Sequence, residues 1–279
     1  MRAVSPTNGA GRRWEQNGGM TGRSEGQVHG RVALVSGGSR GIGRGIAVLL
    51  ASEGATVAVN YRRDADSAAE TVAAIEAAGG SAKAYQASID DAAQDAAMVE
   101  QIIADFGGID ILVNNGGTAS RGNSVADTDP SEVARVIGTH AVGSHHLCRL
   151  VVPQMRSRGR GDVVMISSIA TTSISGNGAP YNMAKAALEA LAFTLAKEER
   201  PNGIHVNVVA PGLVETDMGE RLAKSWGVTD LRTLDKGAGF GHVCQPSDVA
   251  NVVLWLCSAG SAYVTGQRIV CDGGGMSVT

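Results

Sequence analysis

Short β-branched apolar runs alternate with helical stretches along almost the whole sequence, and this alternation restricts the chain to very few folds. The runs fall at 32–35, 56–59, 82–87, 109–113, 163–166, 204–209 and 268–270. Between them, apolar periodicity predicts helices over about 42–53, 66–78, 91–105, 130–156, 180–199 and 246–258. Gly54, Gly79 and Gly107 stand just past helices where a left-handed residue closes the last turn, and Asp129-Pro130 and Gln245-Pro246-Ser247-Asp248 open two others. Strands separated by helices join as parallel pairs through right-handed crossovers. The runs are nearly continuous rather than alternating, as in strands covered on both faces. The expected architecture is a single-domain α/β fold, a doubly wound parallel sheet of about seven strands with helices on both faces.

Composition places limits on the ends and on the partners. Residues 1–29 are rich in Gly, Arg, Ser, Asn and Gln, with Trp14 the only aromatic. Such a stretch buries too little to offset its ordering entropy, so it is expected to be a disordered extension. It has no apolar segment of the secretory kind, and Met20 is an alternative start to Met1. The ordered domain is then 30–279, with 213–244, weak in periodicity, as a loop insertion near the sheet edge. At 43% hydrophobic and 18% charged the chain reads as globular, with no apolar run long enough for a membrane. A formal charge of −3 offers no basic field for nucleic acid. The cysteines at 148, 244, 257 and 271 have no metal-binding spacing and read as free thiols of a reducing, cytoplasmic protein.

The first strand runs directly into Ser36-Gly37-Gly38-Ser39-Arg40-Gly41-Ile42-Gly43 and then a helix. Glycines at such a turn let the backbone approach a pyrophosphate, whose charge the helix N-terminus stabilises. The spacing is G-x-x-x-G-x-G rather than G-x-G-x-x-G, so the general dinucleotide fingerprint is only partly met. The second strand ends at Asn60-Tyr61-Arg62-Arg63, where a unit built for NAD carries an acid for the ribose 2′-hydroxyl. Two arginines there, with Arg40 in the turn, suit a 2′-phosphate instead. NADP(H) is the expected cofactor and NAD(H) the alternative; a solvated arginine loop is the competing reading.

Tyr181 and Lys185 are four residues apart in a predicted helix, so both project from one face. A cation beside a phenol favours the phenolate, which would lower the Tyr181 pKa and let it exchange a proton near neutrality. Alone, such a pair also occurs as surface decoration. Ser168 lies thirteen positions upstream, at the end of the fifth predicted strand.

Taken in order, Gly37-Gly38-Ser39-Arg40-Gly41-Ile42-Gly43, Asn114-Asn115-Gly116-Gly117, Ser168, Tyr181-x-x-x-Lys185, Pro211-Gly212 and Asp272-Gly273-Gly274 resemble the short-chain dehydrogenase/reductases over about residues 30–275. The resemblance implies a Rossmann-type NAD(P)-binding catalytic domain. It implies that Tyr181 is the general acid or base, that Lys185 lowers its pKa and binds the nicotinamide ribose, and that Ser168 bonds the substrate oxygen. It further implies cofactor contacts at Asn115, and at Val214 and Thr216 for the carboxamide. Ser88, followed by Ile89, stands where the family frequently has an adenine-contacting Asp. His140, in His140-Ala141-Val142-Gly143, replaces the family's Asn of the proton relay and either preserves that relay or alters it; a packed helix histidine is the plain alternative. Gly116 replaces a more usual Ala. A metal at His140, His145 and His146 is not expected, since they share no clean helical face and no carboxylate completes a site.

The activity implied is interconversion of a carbonyl and a secondary alcohol. The stretch 203–218 is most similar to β-ketoacyl-acyl-carrier-protein reductases, while sugar, steroid or other alcohol dehydrogenases, or a non-catalytic NADP-binding regulator, are the alternatives. The substrate is a small carbonyl or alcohol, or a carrier-bound one; Arg156, Arg158 and Arg160 form a basic loop that reads as a solvated turn, with a face for an acidic carrier as the alternative. Helices 130–156 and 180–199 pair between subunits in this family, implying a homotetramer or homodimer.

Overall fold

A computed structural model of the chain describes residues 26–275. Most of the expected disordered extension, with Met20, lies outside these residues. At 26–29 the chain is ordered: Val28 is buried and its N–H bonds the Glu53 carbonyl at 3.2 Å. The domain therefore begins before residue 30.

Seven strands form one sheet: β1 (Val32–Val35), β2 (Thr56–Tyr61), β3 (Ser81–Gln86), β4 (Ile111–Asn114), β5 (Gly161–Ile166), β6 (Ile204–Pro211) and β7 (Arg268–Cys271). Their order is β3-β2-β1-β4-β5-β6-β7, every pair parallel. The expected doubly wound sheet is present. Consecutive strand residues feed opposite cores. Leu34, Leu112, Val163 and Met165 pack under helices α3 (Ala92–Phe106), α5 (Gly143–Met155) and α7 (Ala179–Glu199). Ala33, Val35, Ile111, Val113 and Val164 pack under α1 (Gly41–Ser52) and α9 (Pro246–Cys257). Burial on both sides explains why central strands read as unbroken apolar runs. The edge strands differ: Ser81, Lys83 and Gln86 of β3 and Val270 of β7 are exposed.

Three local features depart from the sequence reading. Helix 130–156 is broken into α4 (Pro130–Ile137) and α5 by a π-helical turn at Gly138–Val142. Segment 213–244 is partly regular, with α8 (Asp217–Ser225) capped by Thr216 Oγ1 on the Gly219 N–H at 3.1 Å, a 3₁₀ turn at Leu231–Gly237, and a bridge from Val214 to Cys244. Its residues are mostly charged and polar and only Gly219 and Ala223 are buried, so its short apolar stripe does not stand out in the sequence. Finally, a short α6 (Ala170–Ser173) follows β5.

The amino ends of the strands are held by buried charge. Asp162 accepts from Arg160 at 2.9 and 3.0 Å, and lies 2.7 Å from Arg31 and 3.4 Å from His205. Arg158 pairs with Asp110, whose Oδ2 accepts the Val32 N–H at 2.8 Å, and Arg156 pairs with Glu199. The loop, expected as a solvated turn or a basic face, is thus neutralised by the chain's own carboxylates. No helix among the described residues is long and apolar enough to cross a membrane.

Candidate active site

Catalytic and cofactor candidates converge at the opposite, carboxyl ends of the strands, where ligands of open α/β sheets bind. The β1–α1 turn is shaped by Gly37 and Gly41, both with positive φ (60° and 54°). A Cβ at Gly43 would overlap the Gly37 carbonyl and the Asn115 amide, so the turn closes only with glycine there. Arg40 precedes α1 without capping it, leaving the first-turn N–H groups free for an anion. Ser39 is buried and Ile42 packs on the adjoining core.

Two asparagines brace this turn. The Asn115 side chain donates to the carbonyls of Ser36 (2.9 Å) and Gly37 (3.1 Å), while the N–H groups of Asn115 and Gly116 both donate to Ser36 Oγ at 2.9 Å. Asn60 Oδ1 accepts the Gly37 N–H at 3.2 Å, and its amide donates to the Ala87 carbonyl at 3.1 Å. Asn60 and Ser36 were not singled out from sequence; their signal is that each is a polar residue at the end of an apolar strand. Ile89 is buried with its δ-methyl beside Gly116, so an Ala at 116 would collide with it. Ser88 instead spends its hydroxyl on Asp90.

Arg40 is 61% exposed and reaches Asp64 at 3.9 Å and Asp217 at 3.6 Å, so it spans from the glycine turn to the end of β2. Arg62 and Arg63 are exposed beside it. The Asp64 carboxylate caps α2 (Ala65–Ala77) through the Ser67 N–H (3.0 Å) and hydroxyl (2.7 Å). Thr216 lies over Gly41, and the Val214 side chain is buried.

Ser168, Tyr181, Lys185 and His140 come together. Burial raises the Tyr181 phenol, and a hydrogen bond with Ser168 draws it back. This corrects the expectation of a phenol lowered by its lysine. The Lys185 ammonium is itself buried, donates to the Ile166 carbonyl at 2.7 Å, and lies 5.6 Å from the Tyr181 ring centre. Desolvation pulls Lys185 down to about 7, opposed by the charge of Glu189. Burial and the nearby Lys185 charge likewise push His140 down to about 3, so its ring is neutral. Its Nε2 faces the N–H (3.1 Å) and carbonyl (2.8 Å) of Thr118, and its ring stands edge-on to Tyr181 at 5.4 Å. A Cβ at Gly117 would strike that imidazole. The Ser144 hydroxyl donates to the His140 carbonyl at 2.7 Å. His145 and His146 lie on α5 beyond this group, and no cluster of three or more His, Cys, Asp or Glu suited to a metal occurs among the described residues.

The sequence profile of the enoyl-(acyl carrier protein) reductase family matches residues 37–276. The chain is 37% identical to the 3-oxoacyl-[acyl-carrier-protein] reductase FabG of Staphylococcus aureus, over 88% of this chain and 97% of that one. The chain belongs to the short-chain dehydrogenase/reductase family. A human relative, dehydrogenase/reductase SDR family member 4, is 34% identical over 92% of this chain and 90% of its own. Among solved structures, a 7α-hydroxysteroid dehydrogenase complexed with NADH and 7-oxo glycochenodeoxycholic acid superposes with a TM-score of 0.83 at 31% identity, covering 92% of this chain and 98% of that one. A dehydrogenase/reductase from Sinorhizobium meliloti 1021 gives 0.81 at 32%, covering 89% and 96%. As a member of this family the chain is an NAD(P)-dependent oxidoreductase of the carbonyl and alcohol couple.

Proposed function

We propose that the chain reduces a small carbonyl compound with NADPH, using Tyr181 as proton donor, Ser168 as hydrogen-bond donor to the carbonyl oxygen and Lys185 as the cation behind them. The observation that carries this reading is the convergence of a phenol, a hydroxyl and a buried ammonium beside an uncapped helix N-terminus. When bound, the nicotinamide supplies the hydride. The residues fit such a cofactor: the free α1 N–H groups would take the pyrophosphate, and the Lys185 ammonium would bond a ribose hydroxyl. As charge builds on the substrate oxygen, Ser168 and Tyr181 stabilise it where it forms. A lysine that titrates near neutrality can return a proton to Tyr181 between turnovers.

Preference for NADPH rests on the end of β2. Its nearest acid, Asp64, is committed to capping α2, while Arg40, Arg62 and Arg63 remain exposed. Arg62→Ala is expected to lower kcat/KM with NADPH by about tenfold or more and leave the NADH value nearly unchanged, the loss of one charge-assisted contact. An unchanged NADPH/NADH ratio in steady-state kinetics would defeat the 2′-phosphate assignment.

For the substrate, a 3-oxoacyl thioester is favoured by the likeness to the Staphylococcus aureus reductase, with sugar, steroid and simple alcohol substrates as alternatives. The pocket is bounded by 169–180 and 213–244. Ile174, in a left-handed conformation (φ 39°) and 66% exposed, belongs to the first of these segments. A carrier would have to dock at the carboxyl ends of the strands, because Arg156, Arg158 and Arg160 are paired and lie at the other end. Exposed Val142 and Met183 on the outer helices support assembly as a homotetramer or homodimer. Loss of NADPH absorbance with a panel of acetoacetyl thioesters, ketones and oxidised sugars tests the reading. Tight NADPH binding with no turnover on any of them would replace the enzyme by a binding protein.

A further inference from the structure

A polar cluster lies directly behind Ser168. Glu189 Oε1 accepts from Ser167 Oγ (2.6 Å), Thr171 Oγ1 (3.0 Å) and Arg268 Nε (3.0 Å). Arg268 Nη2 donates to Thr171 Oγ1 (2.9 Å) and to the Ser168 carbonyl (3.3 Å). Three elements meet here: Glu189 sits on α7 one turn past Lys185 and two past Tyr181, Arg268 opens β7, and Ser167 and Ser168 follow β5. Both charged side chains are largely buried, at 12% and 18% exposed. A largely buried ion pair held by several further hydrogen bonds fixes geometry at the cost of desolvation, and so belongs where position matters.

We propose that Glu189 and Arg268 are positioning residues that hold the Ser168 backbone and the Lys185 ammonium in register with Tyr181. This rests on the Ser168, Tyr181 and Lys185 assignment above. Arg268 grips the carbonyl of Ser168 itself, so the hydroxyl leaves the strand end at a fixed angle. Thr171 has one proton; with its oxygen accepting from Arg268, that proton goes to Glu189 or to the Ser168 carbonyl, and either closes the ring of bonds. Glu189 also supports the charge of Lys185 against desolvation. The groups facing that ammonium are the Ile166 carbonyl, the Tyr181 ring, the neutral His140 and Glu189, with Arg268 behind Glu189 and opposing it in sign.

The two partners therefore have opposite electrostatic effects on one site. Removing the Glu189 charge favours loss of the Lys185 proton, whereas removing Arg268 leaves Glu189 unscreened and favours its retention. Carbonyl reduction needs the protonated site, so its alkaline limb reports this directly. Glu189→Gln and Arg268→Gln are each expected to lower kcat/KM about tenfold to a hundredfold, the usual effect of a small misplacement, with little change in NADPH dissociation constant. The alkaline limb should move to lower pH in Glu189→Gln and to higher pH in Arg268→Gln. Wild-type kinetics in both variants, or limbs that move the same way, would overturn the assignment. If Glu189→Gln does not fold, Glu189→Asp keeps the charge and shortens the reach: a reduced kcat with the limb in place supports the role, and a displaced limb rejects it. Turnover that depends on Tyr181 but ignores both residues overturns this inference alone. No turnover in the unaltered protein overturns the redox reading and the positioning roles together.

Discussion

Tyr181→Phe should lower kcat/KM for carbonyl reduction by about 10²–10⁴-fold, the usual contribution of a positioned general acid. The expectation follows from what the substitution leaves intact. The ring keeps its edge contact with His140 at 5.4 Å and its place 5.6 Å from the Lys185 ammonium, so only the hydroxyl is lost. Ser168 would still bond the substrate oxygen but could not deliver a proton at neutral pH. None of the bonds that brace the glycine turn involves the phenol, so NADPH binding by fluorescence titration should be nearly unchanged. Turnover surviving in the variant would sink the mechanism, because the neighbouring groups are otherwise committed: His140 is held neutral, Glu189 is tied to Arg268 and the Lys185 ammonium bonds the Ile166 carbonyl.

Asp162→Ala is expected to destabilise the fold by about 3–5 kcal/mol, since it leaves buried guanidinium groups without their counter-charge. Chemical denaturation at several pH values would measure it. Burial alone pushes Asp162 up, but the His205 ring 3.4 Å away, the Arg160 hydrogen bonds and the charges of Arg31 and Arg160 hold it below the usual carboxylate range. Its contribution is therefore present above an unfolded pKa of about 4 and fades as pH falls through the lower folded value. His205 is raised, chiefly by its bond to Asp162, so its contribution is full below about 6.5 and is lost as pH rises through the folded value. The stability difference between parent and variant should peak between about pH 4 and 6.5. A difference that does not fall as pH rises above about 6.5 would show that the His205 pairing contributes little.

The strands and most helix ends were readable because burial, glycine and proline act locally: Gly54 and Gly79 have the left-handed φ their position requires, at 89° and 83°. Tyr181 and Lys185 were readable for the same reason, as a spacing within one helix. What sequence could not supply was the setting. Burial of the phenol, and the bond that draws the lysine to the Ile166 carbonyl nineteen residues away in the chain, are set by the fold rather than by the spacing of the pair. Glu189 carried a signal, one turn beyond Lys185, but its partner Arg268 is seventy-nine residues away. The arginines at 156, 158 and 160 looked like a solvated turn or a docking face because their carboxylate partners are equally remote. Helix α8 was not legible because it is short and mostly polar, with only Gly219 and Ala223 buried.

The π turn at Gly138–Val142 amounts to one residue beyond what an unbroken helix would hold. Each residue of an α-helix advances the azimuth by about 100°. One extra residue therefore lets α4 present its buried side to α7 while α5 presents its own to α3. The insertion works as a gear: deleting a single residue there would keep the helix and turn one half of it away from its neighbour, so the chain should tolerate substitution at Ala141 far better than its removal.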